Sequence, residues 1–279
     1  MNLVIQSAAP LDAAHLKPLV ALARGTSSGL VDPCALRIVD AQPSQRHDIA
    51  VYCDTHGLDH AYVEPRALSA FGLVVMDMDS TLITIECIDE IADFCGLKAE
   101  VAAITEASMR GEIRDFDESL RRRVALLAGL DASTLESVYA ERLQLSPGAE
   151  TMLAAVRAAG LKTLLVSGGF TFFTERLGTR LGLDFTRANT LEIVEGKLTG
   201  RVTGEIVNAE VKARTLRETC DALGIAPDRA IAIGDGSNDL MMMAAAGLSV
   251  AFHAKPIVRE AASVAFNHVG LDGLPRLFV

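Results

Sequence analysis

Asp77 and Asp79 stand two residues apart at the end of an unbroken apolar run, Phe71-Gly-Leu-Val-Val-Met76, and are followed by Ser80 and Thr81. Carboxylates that project together where a strand turns into a loop repel each other unless a cation or a shared proton intervenes. Such a pair can be catalytic, although an Asp at such a place also serves as a helix N-cap. A second apolar run, Lys162-Thr-Leu-Leu-Val166, leads into Ser167-Gly168-Gly169. A hydroxyl and closely approachable N–H groups ahead of a helix would seat a phosphate there, and a plain Ser N-cap looks the same in sequence. A third run, Ala230-Ile-Ala-Ile233, ends in Gly234-Asp235-Gly236-Ser237-Asn238-Asp239. It misses the dinucleotide fingerprint, because Asp239 stands where the third glycine belongs, and the chain has no GxxxxGK[ST] loop.

The two acidic loops together bring Asp77, Asp79, Asp235 and Asp239 to the ends of two strands, facing the candidate phosphate seat. A hard divalent cation would relieve their repulsion. Oxygen donors with no His or Cys in those loops favour Mg²⁺ over zinc. Lys212, in the helical segment before the third run, either balances the charge of a bound phosphate or is a solvated surface lysine.

These residues need elements to hold them. The apolar runs at 71–76, 162–166, 230–233 and 248–252 lack alternation, as strands covered on both faces do, and helical patterns separate them. The fold class expected for residues 71–279 is α/β, a doubly wound parallel sheet with ligands at the carboxyl ends of its strands. Roughly 80 residues separate the first two runs, far more than a crossover needs. Patterns at 86–95, 98–109, 116–128 and 131–144 make this insertion a helical cap over about 84–146. A hairpin is expected within 190–204. Residues 1–70 read as a small βαβαβ domain, with strands at 3–6, 35–40 and 60–64 and helices at 11–24 and 44–57.

Composition narrows the function classes. With 26 basic and 36 acidic residues, the net charge of -10 opposes binding to nucleic acid or an anionic membrane, and only Arg121-Arg122-Arg123 forms a basic cluster. Five cysteines without CxxC or zinc-finger spacing read as reduced thiols. His15, His47, His56 and His60 show no metal-ligand pattern and read as surface or helix-end residues. Met1 to Ala14 contains no Lys or Arg, and no apolar run is long enough to span a bilayer. The expectation is a cytoplasmic protein with no nucleic-acid or membrane partner.

Asp77-x-Asp79-x-Thr81, Ser167-Gly168-Gly169, Lys212 and Gly234-Asp235-Gly236-x-Asn238-Asp239 resemble, in this order, the four motifs of the haloacid dehalogenase superfamily. The segments Glu86-x-x-Asp89-Glu90-Ile91-Ala92, Phe116-x-x-Ser119-Leu120-Arg121-x-Arg123-Val124, Val166-Ser167-Gly168-Gly169-Phe170 and Gly196-Lys197-Leu198-Thr199-Gly200 are similar to the phosphoserine phosphatases within it. The resemblance covers about residues 71 to 279. It implies hydrolysis of O-phospho-L-serine as the last step of serine biosynthesis, with Asp77 forming an aspartyl-phosphate and Asp79 acting as acid and then base. It further implies that Ser167, Gly168 and Lys212 hold the phosphoryl oxygens, with Asn238 beside them. Mg²⁺ would lie between Asp77, the carbonyl of Asp79 and Asp235, oriented by Asp239. Glu86 would meet the substrate ammonium and Arg123 its carboxylate, while Met109 and Phe116 line the pocket. Residues 1–70 are loosely similar to ACT-like extensions, for which a dimerising or stabilising role is expected ahead of amino-acid sensing. Two readings compete: the same fold acting on another small phosphorylated amino compound or as a phosphotransferase, and a receiver-like phosphoaccepting signalling protein, which would lack a cap.

Overall fold

The computed structural model describes every residue except Gly111 and Arg114, together with the side chain of Met109, so the expected pocket role of Met109 lies outside the described residues. The chain opens with β1 (Asn2–Gln6), α1 (Ala13–Ala23), β2 (Ser27–Asp32), β3 (Ala35–Val39), α2 (Arg46–His56) and β4 (Asp59–Val63). They form an antiparallel sheet of order β2-β3-β1-β4, the βαββαβ arrangement of ferredoxin-like units. The βαβαβ reading therefore lacked one strand. Ser27-Ser-Gly-Leu-Val-Asp32 is an exposed sheet edge, with Leu30 57% accessible, so no buried face marks it in sequence. All of β1 is buried, and its alternate residues serve different cores. Leu3 and Ile5 pack with Leu19 and Ile49 of the helices, whereas Val4 joins the core of the larger domain with Ala61 and Val63.

Polar contacts reinforce this junction. The Asp59 carboxylate accepts the N–H groups of Asn267, His268 and Val269 at 2.8, 2.9 and 2.9 Å. Gln6 Nε2 donates to the carbonyl of Gly273 at 3.1 Å, and Arg276 pairs with Asp32 at 2.7 Å.

The larger domain begins with β5 (Leu73–Met76) and continues through α3 (Cys87–Phe94), α4 (Lys98–Met109), α5 (Phe116–Ala125), α6 (Ser133–Glu141) and α7 (Ala149–Ala158). There follow β6 (Lys162–Phe170), α8 (Thr171–Leu181), the hairpin β7 (Phe185–Val194) and β8 (Lys197–Thr203), and α9 (Ala209–Leu223). The chain ends with β9 (Ala230–Gly234), α10 (Leu240–Ala245), β10 (Leu248–Phe252), α11 (Pro256–Ala261), β11 (Val264–Phe266) and α12 (Gly273–Arg276). The sheet order is β11-β10-β9-β5-β6-β7-β8, parallel except for the β7–β8 pair.

The apolar residues of β5 face both ways. Val74 and Met76 pack with Met152 of α7 and Phe173 of α8, while Leu73 and Val75 pack with Val211 of α9 and Met242 of α10. Helices thus cover both faces of the sheet, which is why its central strand reads as an unbroken apolar run. The fold is α/β and doubly wound, with a helical cap. The cap helices α3 to α6 leave and rejoin the domain side by side. Ile83 bridges Leu145, and Ser146 N–H donates to the carbonyl of Leu82 at 2.9 Å. The hairpin supports the cap from the far edge, where the N–H of Gly129 donates to the carbonyl of Leu198 at 2.8 Å. Gly200 has φ +79, and a Cβ there would lie 2.8 Å from that of Ala128, so this contact requires glycine. No helix among the described residues is long and apolar enough to cross a membrane.

Candidate active site

Strand β5 lies between β9 and β6, so the three motif-bearing carboxyl ends are neighbours. Asp77 follows β5 directly, and its N–H donates to the carbonyl of Ile233 in β9 at 3.0 Å. Its carboxylate, 5% exposed as a residue, accepts the N–H of Met78 at 2.7 Å and meets Lys212 Nζ at 2.6 Å. Lys212 is 0% exposed and also reaches Asp239 Oδ1 at 2.8 Å. Burial acts to lower the lysine pKa, but Asp239 and Asp77 outweigh it and raise the value above the ordinary lysine range. An ammonium stays charged there because two carboxylates share it.

Asp235 is held by Thr81, whose hydroxyl donates to its Oδ1 at 2.9 Å. Burial, followed by the charge of Asp77, pushes its carboxyl up to about 6. Asp239 accepts the N–H of Gly236 at 3.1 Å, and a Cβ on Gly234 would lie 2.5 Å from that carboxylate, so glycine admits the acid to the floor of the site. Burial and the neighbouring Glu86 raise the Asp79 carboxyl well above the usual carboxylate range, and its buried Oδ1 has no hydrogen-bond partner among the described residues. Asp77, Asp235 and Asp239 each place a carboxylate oxygen within 4.8 Å of the others. This all-oxygen set, beside an unpartnered carboxylate oxygen, fits a hard divalent cation.

Ser167 and Gly168 lie inside β6, which runs on to Phe170, and α8 starts only at Thr171. Ser167 is therefore not a helix N-cap, and the candidate phosphate seat is strand backbone rather than a helix terminus. The Ser167 hydroxyl oxygen accepts the N–H of Gly169 at 2.9 Å, and Asn189 Nδ2 donates to the carbonyl of Gly168 at 2.8 Å. A cavity of about 300 Å³ opens above these strand ends. Asp77, Asp79, Ser167, Gly168, Asp235 and Asn238 line it from the sheet, and Glu86, Phe116 and Arg123 line it from the cap. Lys212 and Asp239 lie beneath the floor and do not line it.

A family profile for haloacid dehalogenase-like hydrolases matches residues 71–247. A phosphoserine phosphatase of Polaromonas sp. is 60% identical over 214 residues, covering 75% of this chain and 91% of that protein. The chain belongs to the phosphoserine phosphatase family of haloacid dehalogenase-like hydrolases. A haloacid dehalogenase family hydrolase from Salmonella enterica superposes with TM-score 0.88 at 33% identity, covering 99% of this chain and 98% of that one. A phosphoserine phosphatase solved as a phospho-aspartyl intermediate analogue superposes with TM-score 0.70 at 36% identity, covering 77% of this chain and all of that one (100%). A domain family of unknown function matches residues 3–49.

The cap side of this phosphatase carries its own charge pattern. Arg121 and Arg122 face Asp117 and Glu118, and Arg142 takes Glu90 at 3.6 Å. Arg123, in the last turn of the same helix, has no carboxylate within 4 Å among the described residues and donates only to the carbonyl of Ser119 at 3.4 Å. Its charge is left to the cavity. Ile88, Thr105 and Lys255 also line the cavity without having been singled out by sequence, and Asp89, there only part of a quoted segment, lines it too. Lys255 was within reach, because it follows the carboxyl end of β10 and its N–H donates to the carbonyl of Asp235 at 3.4 Å. Asp89 lies one turn after Glu86 on an acidic helix start, where a carboxylate is ordinary.

Proposed function

We propose that this phosphatase hydrolyses O-phospho-L-serine to L-serine and phosphate through an aspartyl-phosphate on Asp77, the reaction that completes serine biosynthesis. The observation that carries the substrate is the placement of Glu86 and the unpaired Arg123 across one cavity from Asp77 and Ser167. An anion and a cation beyond the phosphate seat complement an α-amino acid, whereas a neutral alcohol would leave both uncompensated.

One carboxylate oxygen of Asp77 attacks phosphorus as the bond to the seryl oxygen breaks, and Asp79 delivers the proton that the departing oxygen needs. Its raised pKa supports a protonated starting state. Asp79 then removes a proton from a water whose oxygen attacks phosphorus. The bond to Asp77 breaks, phosphate leaves, and both carboxyl groups return to their first state. Ser167, the Gly168 N–H and Asn238 orient the phosphoryl group, and Lys212 holds Asp77 from below. Mg²⁺, held by Asp77, Asp235 and the Asp79 carbonyl with Asp239 behind them, would supply the positive charge that lets a carboxylate approach a phosphate dianion. The five free cysteines support a reducing, cytoplasmic setting.

Phosphate release from O-phospho-L-serine, measured with Mg²⁺, with EDTA and for Asp77→Asn, tests this reading. Turnover is expected only with the metal. Asp77→Asn is expected to retain under about one per cent of kcat, a loss of at least ~2.7 kcal/mol. Full turnover in chelator, or a more active variant, overturns the chemistry.

A further inference from the structure

Ser80 occupies a backbone conformation that L side chains avoid. With φ 54 and ψ 4, it sits in the left-handed region, inside the irregular turn Met78–Leu82 that links Asp79 to the cap. Glycine adopts that conformation without penalty, so a serine held there points to a use for its side chain. The hydroxyl donates to Glu86 Oε1 at 2.7 Å, and the Ser80 N–H donates to the carbonyl of Ile85 at 3.2 Å. The loop thus closes on itself, and the first cap residue to face the cavity is tied to the residue after Asp79. Only Oε1 takes this bond, so Oε2 keeps its lone pairs for a ligand.

We infer that Ser80 is a positioning residue for substrate selection, whose hydroxyl anchors one oxygen of Glu86 and aims the other at the substrate ammonium. The inference rests on the role proposed above for Glu86. A hydrogen bond to an ionised acceptor is short and strong enough to fix a flexible Glu side chain, and a fixed carboxylate discriminates better than one that must be ordered on binding. The strained backbone brings the hydroxyl there. Glycine at this position keeps the turn and loses the selection.

The test compares O-phospho-L-serine with 3-phosphoglycerate, in which a hydroxyl replaces the ammonium, for the full-length Mg²⁺-loaded enzyme. Ser80→Gly is expected to raise KM for phosphoserine about tenfold with kcat within about twofold, to leave kcat/KM for 3-phosphoglycerate within about twofold, and to keep Tm within a few degrees. Ser80→Ala removes the hydroxyl but retains the left-handed strain, so it is expected to show the same loss of discrimination with a lower Tm. Combining Ser80→Gly with Glu86→Gln is expected to add no loss beyond Glu86→Gln alone. An unchanged phosphoserine KM in Ser80→Gly, or an equal loss on both substrates, overturns the inference while the role of Glu86 stands. If Glu86→Gln itself leaves the ratio of the two substrates unchanged, the assignment of Glu86 fails first, and the inference falls with it.

Discussion

Lys212 Nζ lies 2.6 Å from Asp77 Oδ2, with the lysine fully enclosed and a second carboxylate, Asp239, 2.8 Å from the same nitrogen. Removing one partner of such a group leaves charge buried without compensation, which typically costs about 3 to 5 kcal/mol. Lys212→Met is therefore expected to lower the unfolding free energy in EDTA by that amount, read from urea titration. Added Mg²⁺ should restore part of the loss, because a cation again faces the two carboxylates. Wild-type stability in EDTA would show that the ion pairs contribute little.

The Asp235 carboxyl, raised from the ordinary 3.8 to about 6, gives a pH dependence of known sign. The folded protein binds this proton more tightly than the unfolded chain, so the contribution is fully present below about pH 4 and is lost as pH rises through 6. In EDTA, the stability advantage of wild type over Asp235→Asn should accordingly shrink between pH 4 and pH 7. Mg²⁺ competes with the proton, so its thermal shift should be larger at pH 7 than at pH 5. Thermal denaturation across that range checks both statements, and a constant difference contradicts them.

Arg123 has no ion-pair partner within 4 Å among the described residues, although its neighbours Arg121 and Arg122 do. Arg123→Ala should therefore lower kcat/KM for O-phospho-L-serine by about 30-fold to several-thousand-fold, the cost of about 2 to 5 kcal/mol for leaving a charged partner alone. Phosphoethanolamine, which has no carboxylate, should lose far less. Steady-state kinetics on both substrates decide the point, and equal losses would make Arg123 a structural residue of the cap.

Asp59 belongs to the small antiparallel sheet, yet its carboxylate accepts three consecutive N–H groups at residues 267–269 of the larger domain. Asp59→Ala should destabilise the protein by about 3 kcal/mol, since each orphaned donor costs about 1 to 3 kcal/mol and neighbouring effects do not add fully. The kcat should stay near wild type, because Asp59 does not line the catalytic cavity. Urea unfolding and phosphate release separate the two effects. A loss of activity without a loss of stability would place the N-terminal unit in the chemistry.

Local pattern determined much of this protein. Unbroken apolar runs belong to strands covered on both faces, and the polar residues that end them must emerge at one edge of a parallel sheet, so Asp77, Ser167 and Asp235 were legible together. The helical cap was legible because the spacing between the first two runs exceeds any simple crossover. Other features depended on packing between distant segments. The burial of Lys212 under Asp77 rather than along the cavity, the unpaired state of Arg123 and the insertion of Asp59 into the larger domain all arise where separate elements meet, while the Ser80–Glu86 bond depends on a left-handed turn that the residue types do not announce. The edge strand β2 escaped for a related reason: without a buried face, its residues carry no periodic signal. Hydrophobic periodicity records which side of an element leaves water, and helix spacing fixes pairs such as Arg122–Glu118, but a charge paired across elements finds its partner only when the fold brings them together, and that information lies in the tertiary contacts.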